Sequence, residues 1–393
     1  MAKSASAPMI SMQGVEVPVS SVNPTDFFRL TRRQTINQQS PKAYAGLGAT
    51  DNVQILQQSI ISGLMIRFSG TLTVTPGTGT VATTGRWPYD LIRAARFSAN
   101  GQSNLINVSG SKLKAREIMA RGDLSDRGVS QTVAGAAVTQ GTMSLASEAW
   151  GVGMSTSAIA GGTPGVELEW FVPVAYDDVT LTGAIFAQTS ATDLILAIDW
   201  APQSDLFALT GNATVALTGT LTVASRSYTI PQAPSGQVLV PDLSTFHSMI
   251  QSRYTALANG VNEVRLSGQG VGKQLLRLFS QTWNGAVTVA APLSVTDANF
   301  SQLGWRFGGN DTPEIWSNGR LMRYDVEKKF SSDLGAVHGY KVWDFVNENA
   351  FRDTVDEGTA TELRLVEEIG SGVTLANAGL EYVSETASIG SAA

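Results

Sequence analysis

The sequence predicts an all-β chain with a few short helices, divided into two domains of similar plan. Length is the first reason, because 393 residues exceed what a single hydrophobic core usually supports. Composition is the second. Hydrophobic residues make up 43% and charged residues 15%, the balance of a globular chain. The 39 glycines accompany abundant Thr, Ser, Val and Ala, a mixture suited to short strands joined by turns. The third reason is an internal echo. Ile66-Arg67-Phe68-Ser69-Gly70 returns as Val264-Arg265-Leu266-Ser267-Gly268. Leu91-Ile92-Arg93, running on to Asn100-Gly101, returns as Leu275-Leu276-Arg277, running on to Asn284-Gly285. Each recurrence falls about half a chain later, as a duplicated domain requires.

Residues 1–22 mix small, polar and β-branched side chains and read as an extended or mobile arm. A short helix follows, with Asn23 as cap, Pro24 at the first helical position and Asp26 in the first turn. At helical spacing Phe27, Phe28 and Leu30 share one face, and Arg29, Arg32 and Arg33 the other. Such a helix lies on a membrane or a partner, or else docks on its own domain with its arginines exposed. From residue 53 the period shifts to two. Leu64, Ile66 and Phe68 alternate with Met65, Arg67 and Ser69, residues 71–74 continue the strand, Pro76-Gly77 turns it and 80–84 return. The spacing over 88–95 predicts a helix, followed by a strand over 96–99 and the Asn100-Gly101 hairpin signal. A further helix is predicted over 112–121, stopped by Gly122. Residues 129–165, rich in Gly, Ala, Ser and Thr, read as surface excursions and short strands. Strands are predicted over 166–175 and 193–200. Residues 232–241, with Pro234, Gly236 and Pro241, form the domain boundary, and Asp242 or Ser244 caps a predicted helix running to Tyr254. Leu275, Leu276, Leu278 and Phe279 predict a helix over 273–280, before the Asn284-Gly285 turn and the alternating Val287 and Val289. The small residues of 384–393 read as a frayed end.

Chemistry is scarce. The absence of cysteine excludes disulfides, thiolate catalysis and Cys-based zinc sites. His247 and His338 are the two histidines, and neither has a partner at suggestive spacing; His247 reads as a core or interface residue. Gly268-Gln269-Gly270-Val271-Gly272-Lys273 imitates a phosphate loop, but Ser267 and Gln274 stand where that motif needs Gly and Ser or Thr. It reads as a glycine-rich turn entering a helix. The adjacent acids Asp177-Asp178 and Glu367-Glu368 point to opposite faces of a strand and make no catalytic pair. Trp87, Trp150, Trp170, Trp200, Trp283, Trp305, Trp316 and Trp343 are spread along the chain, as core or subunit contacts would be. No catalytic, cofactor or metal constellation emerges, and no apolar run is long enough to span a bilayer or drive secretion. Charge is uneven. Residues 1–50 carry Lys3, Arg29, Arg32, Arg33 and Lys42 against Glu16 and Asp26, whereas 344–385 carry ten acids against Arg352 and Arg364. The first end suits a polyanion or anionic lipid, and the second suits water or basic neighbours.

The block Trp170-Phe171-Val172-Pro173-Val174-Ala175-Tyr176 ahead of Leu181-Thr182-Gly183-Ala184 resembles the major capsid proteins of tectiviruses, membrane-containing double-stranded DNA bacteriophages. Pro241-Asp242-Leu243-Ser244-Thr245 resembles the junction between that family's two barrels. Ala298-Asn299-Phe300, with the basic, aromatic stretch to Phe330, is a weaker likeness. The Gly- and Thr-rich stretches depart from the family. The resemblance implies a double jelly roll, two eight-stranded sandwiches in one chain. It divides the chain into an arm with the basic helix (1–45), a first jelly roll (46–238), a second (239–385) and a flexible tail (386–393). It also implies a non-enzymatic virion protein without cofactors. Homotrimers with a pseudo-hexagonal outline would tile an icosahedral capsid over an internal membrane, assembled in the host cytoplasm. The implied partners are other copies, penton or minor capsid proteins and lipid, with no sequence-specific nucleic acid. Phe27, Phe28 and Leu30 would then be apolar anchors, and Arg29, Arg32 and Arg33 would meet lipid phosphates or acidic neighbouring capsomers. The alternative is a carbohydrate-binding or carbohydrate-active β-sandwich such as a phage spike, which needs clustered tryptophans beside paired carboxylates.

Overall fold

A computed structural model describes residues 9–389 apart from 13–14, 22, 39–40, 100–101, 122–130, 134–135, 139–157, 160, 164, 188–192, 267–272, 286–290, 308–312, 331–333, 336–338, 347–354 and 357–361. The chain opens with the hairpin β1 (Met9–Met12) and β2 (Val15–Ser21), then helix α1 (Pro24–Leu30). Eight main strands follow, with shorter ones between them: β3 (Arg33–Asn37), β4 (Thr50–Gln54), β5 (Ile60–Thr75), β6 (Ile92–Ala99), β7 (Gln102–Val108), β8 (Gly165–Pro173), β9 (Leu194–Trp200) and β10 (Thr214–Tyr228). Helix α2 (Gly110–Arg121) lies between β7 and β8. β11 (Val238–Val240) returns to run parallel to β2. A second eight then form: β12 (Thr245–Thr255), β13 (Gly260–Arg265), β14 (Lys273–Asn284), β15 (Phe300–Phe307), β16 (Glu314–Trp316), β17 (Tyr340–Asp344), β18 (Leu363–Ile369) and β19 (Gly379–Ile389), with α3 (Gly319–Phe330) between β16 and β17.

The two sets share one wiring. The first folds into sheets β8-β5-β10-β3 and β7-β6-β9-β4. The second folds into β17-β14-β19-β12 and β16-β15-β18-β13. Counted by place within each set, strands 6-3-8-1 make one sheet and 5-4-7-2 the other, and a helix always joins places five and six. That is the jelly roll, twice. The halves are also sewn together: β7 runs parallel to β12, with Ile106 opposite Met249 and Asn107 opposite Ile250, so one sheet crosses both barrels.

Local sequence explains the strands. On β10, Val215, Leu217, Leu221 and Val223 point inward while Thr214, Thr218 and Thr220 are exposed, the period-two pattern of a half-buried strand. β5 and β10 pair from Thr75 opposite Thr214 to Ile60 opposite Tyr228. Each fully buried Leu, Ile or Val contributes about 1.5–3 kcal/mol over exposure, and both barrels are lined with them.

Several expectations hold: α1, α2, the strands β8 and β9, and the Pro76-Gly77 turn, where the Gly79 N–H donates to the Pro76 carbonyl at 2.9 Å. Others are corrected. The segments expected as helices over 88–95, up to Tyr254 and over 273–280 are chiefly strands β6, β12 and β14, with one short 3-10 turn at Tyr89–Leu91. In β14 nearly every residue from Leu275 to Trp283 is buried, because the barrel core covers one face and α2 the other. Burial on both faces erases the period of two and leaves a run that imitates helical spacing. Asp242 accepts the Ser244 N–H at 3.0 Å in a local turn, not in a helix cap.

The echo also fails. Residues 66–70 lie on the third strand of the first barrel, but 264–265 lie on the second strand of the second; 92–93 open a fourth strand, but 275–277 lie on a third. The similarity of letters is chance, and the duplication lies in the strand order. The arm is not free either: β2 is held by β11, and β3 pairs with β10, so a barrel strand lies within 1–45. At the other end, residues 386–389 of the expected tail pair with 245–248. Gly122, Asn100-Gly101, the 268–272 loop, Val287, Val289, His338 and Trp150 lie outside the described residues.

Candidate functional site: a charged seam and a basic helix

The barrels meet across a buried layer of charge, and α2 is its centre. Its side chains reach the strands β19 and β14 of the second barrel. The Lys112 ammonium donates to Gln281 Oε1 and lies 3.5 Å from Glu381 Oε2. Arg116 Nε donates to Glu385 Oε1 at 2.9 Å, and its Nη2 donates to the Tyr176 carbonyl at 2.6 Å. Arg86 bridges Asp90, at 3.1 Å, and Glu381. Arg277 on β14 reaches Glu385 at 3.4 Å, Asp344 at 3.3 Å and the Tyr176 hydroxyl at 3.2 Å. His247 on β12 is flanked by Glu385 Oε1 and the Pro173 carbonyl, each 3.0 Å away. Lys112, Arg116, Arg277, His247, Glu381 and Glu385 are all buried.

Period two builds this layer. Glu381, Val383 and Glu385 share one face of β19, while Leu380 and Tyr382 enter the barrel core. Burial by itself raises the carboxyl of Glu381, but Arg86 and Lys112 beside it prevail and hold it at about 2. Burial likewise opposes ionisation of Glu385, and Arg116 and Arg277 hold it far below the usual carboxylate range. Burial pushes the Lys112 ammonium down despite Glu381. The Tyr176 hydroxyl is driven up to about 12, chiefly by burial. Charges paired across the seam favour one relative placement of the barrels, because shifting either leaves an unpaired buried ion.

The block that carried the resemblance lies at this seam. Trp170 Nε1 donates to the Tyr89 carbonyl at 3.3 Å, and Pro173 and Tyr176 supply the acceptors already named. Gly183 has φ +83° and packs so closely on His247 that a Cβ there would lie 2.6 Å from the His247 backbone nitrogen. Asp177 accepts the N–H groups of Val179 and Thr180 at 2.7 and 2.6 Å, and Asp178 pairs with Arg226, so neither acid is available as half of a catalytic pair. Glu367 is buried against Lys341 and Thr282 inside the second barrel.

The six residues predicted to contact membrane or neighbouring capsomers separate into two groups. Phe27 is buried and Phe28 half-buried; their rings lie 6.3 and 5.5 Å from that of Tyr228, in a cluster with Ile60, Leu181 and Val240. Neither is an outward apolar anchor, because the helix spends that face on its own barrel. Leu30 is 58% exposed, and Arg29, Arg32 and Arg33 are exposed around it, with Arg33 already on β3. The Arg32 N–H donates to Thr229 Oγ1 at 2.9 Å, which fixes the helix end. Among the described residues no acidic or histidine cluster suited to a metal occurs, and no helix is long and apolar enough to cross a membrane. The described tryptophans are buried or half-buried, so they form no exposed sugar platform.

Known proteins agree with the wiring. No curated protein matches the chain. In fold it is similar to Sulfolobus Turreted Icosahedral Virus, with 12% identity, TM-score 0.62 and 91% of each chain covered. It is similar to the PBCV-1 virus capsid, with 11% identity and TM-score 0.53 over 91% of this chain and 93% of that one. The Faustovirus major capsid protein matches with 10% identity and TM-score 0.51, over 91% of this chain and 89% of its own. At these identities the likeness shows the double jelly roll alone. The family model of the P3 major capsid protein N-terminal region matches residues 25–229, just over half of the sequence. The chain therefore belongs to the P3 major capsid protein family and is a major capsid protein of the double jelly-roll kind.

Proposed function

We propose that three copies form a pseudo-hexagonal capsomer, and that such trimers tile an icosahedral shell around an internal membrane of a tectivirus-like bacteriophage. One observation carries this reading: two barrels of identical wiring are fixed side by side by a shared sheet and a buried ion layer. Three rigid pairs around a threefold axis present six equivalent corners, the shape that packs on a hexagonal lattice. The outward groups of the N-terminal helix and the residues just after it, Arg29, Leu30, Arg32 and Arg33, face lipid phosphates or acidic neighbouring capsomers. Attraction to an anionic surface is worth about 1 kcal/mol per basic residue, too little for one copy but enough when a lattice repeats it. Penton or minor capsid proteins occupy positions that trimers leave open. The working division keeps 46–238 and 239–385 as the two barrels, with β3 from the 1–45 segment added to the first and residues 386–389 to the second. Light scattering coupled to size exclusion on the full chain tests the trimer. A mass of three chains is expected, and a strict monomer at all concentrations overturns the reading.

A further inference from the structure

Lys112 keeps unusual company for a buried cation. It stands in the first turn of α2, wholly shielded from solvent, and its ammonium donates to Oε1 of Gln281 on β14. Gln281 is itself 1% exposed. The carboxylate within reach is Glu381 on β19, whose Oε2 lies 3.5 Å from Lys112 Nζ and accepts no hydrogen bond from the other described residues. The second oxygen of Glu381 is taken by Arg86. The rings of Tyr340 and Trp283 flank the ammonium, 5.1 and 5.7 Å from Nζ. Lys341 shows what a settled buried lysine looks like in this chain: it contacts Glu367 directly and Thr282 beside it, a complete ion pair. Lys112 instead touches a neutral carboxamide and shares its counter-ion with Arg86, a poor exchange for the hydration it has lost. An amine, a carboxamide and a carboxylate thus meet in one place closed to water, and these are the three parts that amide exchange needs.

We propose that Lys112 Nζ displaces the side-chain nitrogen of Gln281, forming an amide that ties α2 of the first barrel to β14 of the second, with Glu381 carrying the proton. The atoms balance without an added reagent. Glu381 takes one proton from the Lys112 ammonium. The neutral Nζ adds to Gln281 Cδ, forming the new N–C bond, and passes a second proton to Nε2. The Cδ–Nε2 bond then breaks and ammonia leaves, taking the proton held by Glu381 and departing as ammonium. Arg86 stays on Glu381 afterwards, so the seam keeps its charge pairing. Geometry favours the step, because Nζ already touches the oxygen on the carbon it must attack, and α2, β14 and β19 hold the three groups in place. Burial pushes the ammonium down, towards the neutral amine that is the nucleophile. The low value of Glu381 is owed in part to Lys112, so the carboxylate becomes a better proton acceptor as the lysine gives up its charge. The chain has no cysteine and cannot staple its barrels with a disulfide; an amide does so in any redox state.

Intact-mass spectrometry of the folded full chain reads the bond directly, because loss of ammonia removes about 17 Da. The folded chain is expected to lack that mass, and its digest to hold one branched peptide joining Lys112 to Gln281. Chain collected in denaturant before it folds should show the full mass, and the loss should develop on refolding. Lys112→Met, of similar volume, removes the nucleophile and should keep the full mass after folding. Glu381→Gln should slow the loss about a hundredfold. A folded wild type of full mass overturns the proposal whether or not either variant folds. So does an ammonia loss that maps to another residue, such as an asparagine closed on its own backbone. Closure of Glu381→Gln at the wild-type rate overturns the part given to Glu381.

Discussion

At the residue scale, Glu385 is the most consequential side chain, because three donors from three elements converge on one buried carboxylate. Glu385→Ala leaves Arg116, Arg277 and His247 without it and is expected to cost about 3–5 kcal/mol, read from chemical denaturation. Glu381 makes a pH prediction. Its folded value of about 2 lies below the roughly 4.3 of an unfolded glutamate. Its stabilisation is therefore complete above about pH 4.5 and is lost as pH falls towards about 2. Urea midpoints should decline across that window, and Glu381→Gln should flatten the decline; an unchanged slope would remove Glu381 from the linkage. Gly183→Ala is expected to destabilise by about 1–3 kcal/mol, since any side chain must adopt a strained φ and displace His247. None of these positions is apparent from the sequence by role. Glu381 and Glu385 look like two more members of an acidic terminal stretch, and only the sheet register brings Arg86, Lys112 and Arg116 to them across more than 250 residues. His247 was legible as a core or interface residue because it sits near Phe246 and Met249 with no chemical partner nearby in sequence.

At the element scale, α1 was legible from its cap, proline and spacing, but its orientation was not. Two phenylalanines on a short basic helix suit a lipid surface and a barrel equally, and Tyr228, remote in sequence, decides for the barrel. Phe27→Ala is accordingly expected to cost about 3 kcal/mol of stability. Arg29→Ala with Arg32→Ala should leave the unfolding midpoint unchanged and reduce co-sedimentation with anionic vesicles; equal binding would detach the helix from the lipid proposal. Truncation separates arm from barrel. Removing residues 1–22 takes only the β1–β2 hairpin and its pairing with β11. Removing 1–40 also takes β3 and Gln38, which donates to Ser225 at 2.7 Å and accepts the Leu56 N–H at 2.6 Å, and should abolish folded protein. Strands such as β8 were readable because one face is wet. β14 was misread because neither face is, and a sequence carries no mark for what will cover it.

At the scale of the whole molecule, a sheet that crosses both barrels and an ion layer between them make the halves one cooperative unit. Calorimetry of the full chain should show a single transition, and Glu381→Gln combined with Glu385→Gln should split it in two. The double jelly roll became legible through the block at 170–184, and the reason is now physical. That block holds the acceptors and the close glycine contact on which the seam depends, so its letters are constrained by packing from both barrels. The repeat of letters at 66 and 264 carried no such constraint, and the duplication survives only as topology. The seam also sets a schedule for biosynthesis. Its two central carboxylates stand on β19, while the cations of α2 that they neutralise are made more than 250 residues earlier. A nascent first barrel must therefore wait, with its basic helix uncovered, until β19 has been made. Nor can the second barrel complete its own sheet before then, because β19 lies between β12 and β14. Charge neutralisation of α2 and closure of the second barrel thus coincide, and a chain that lacks β19 would hold neither barrel in place.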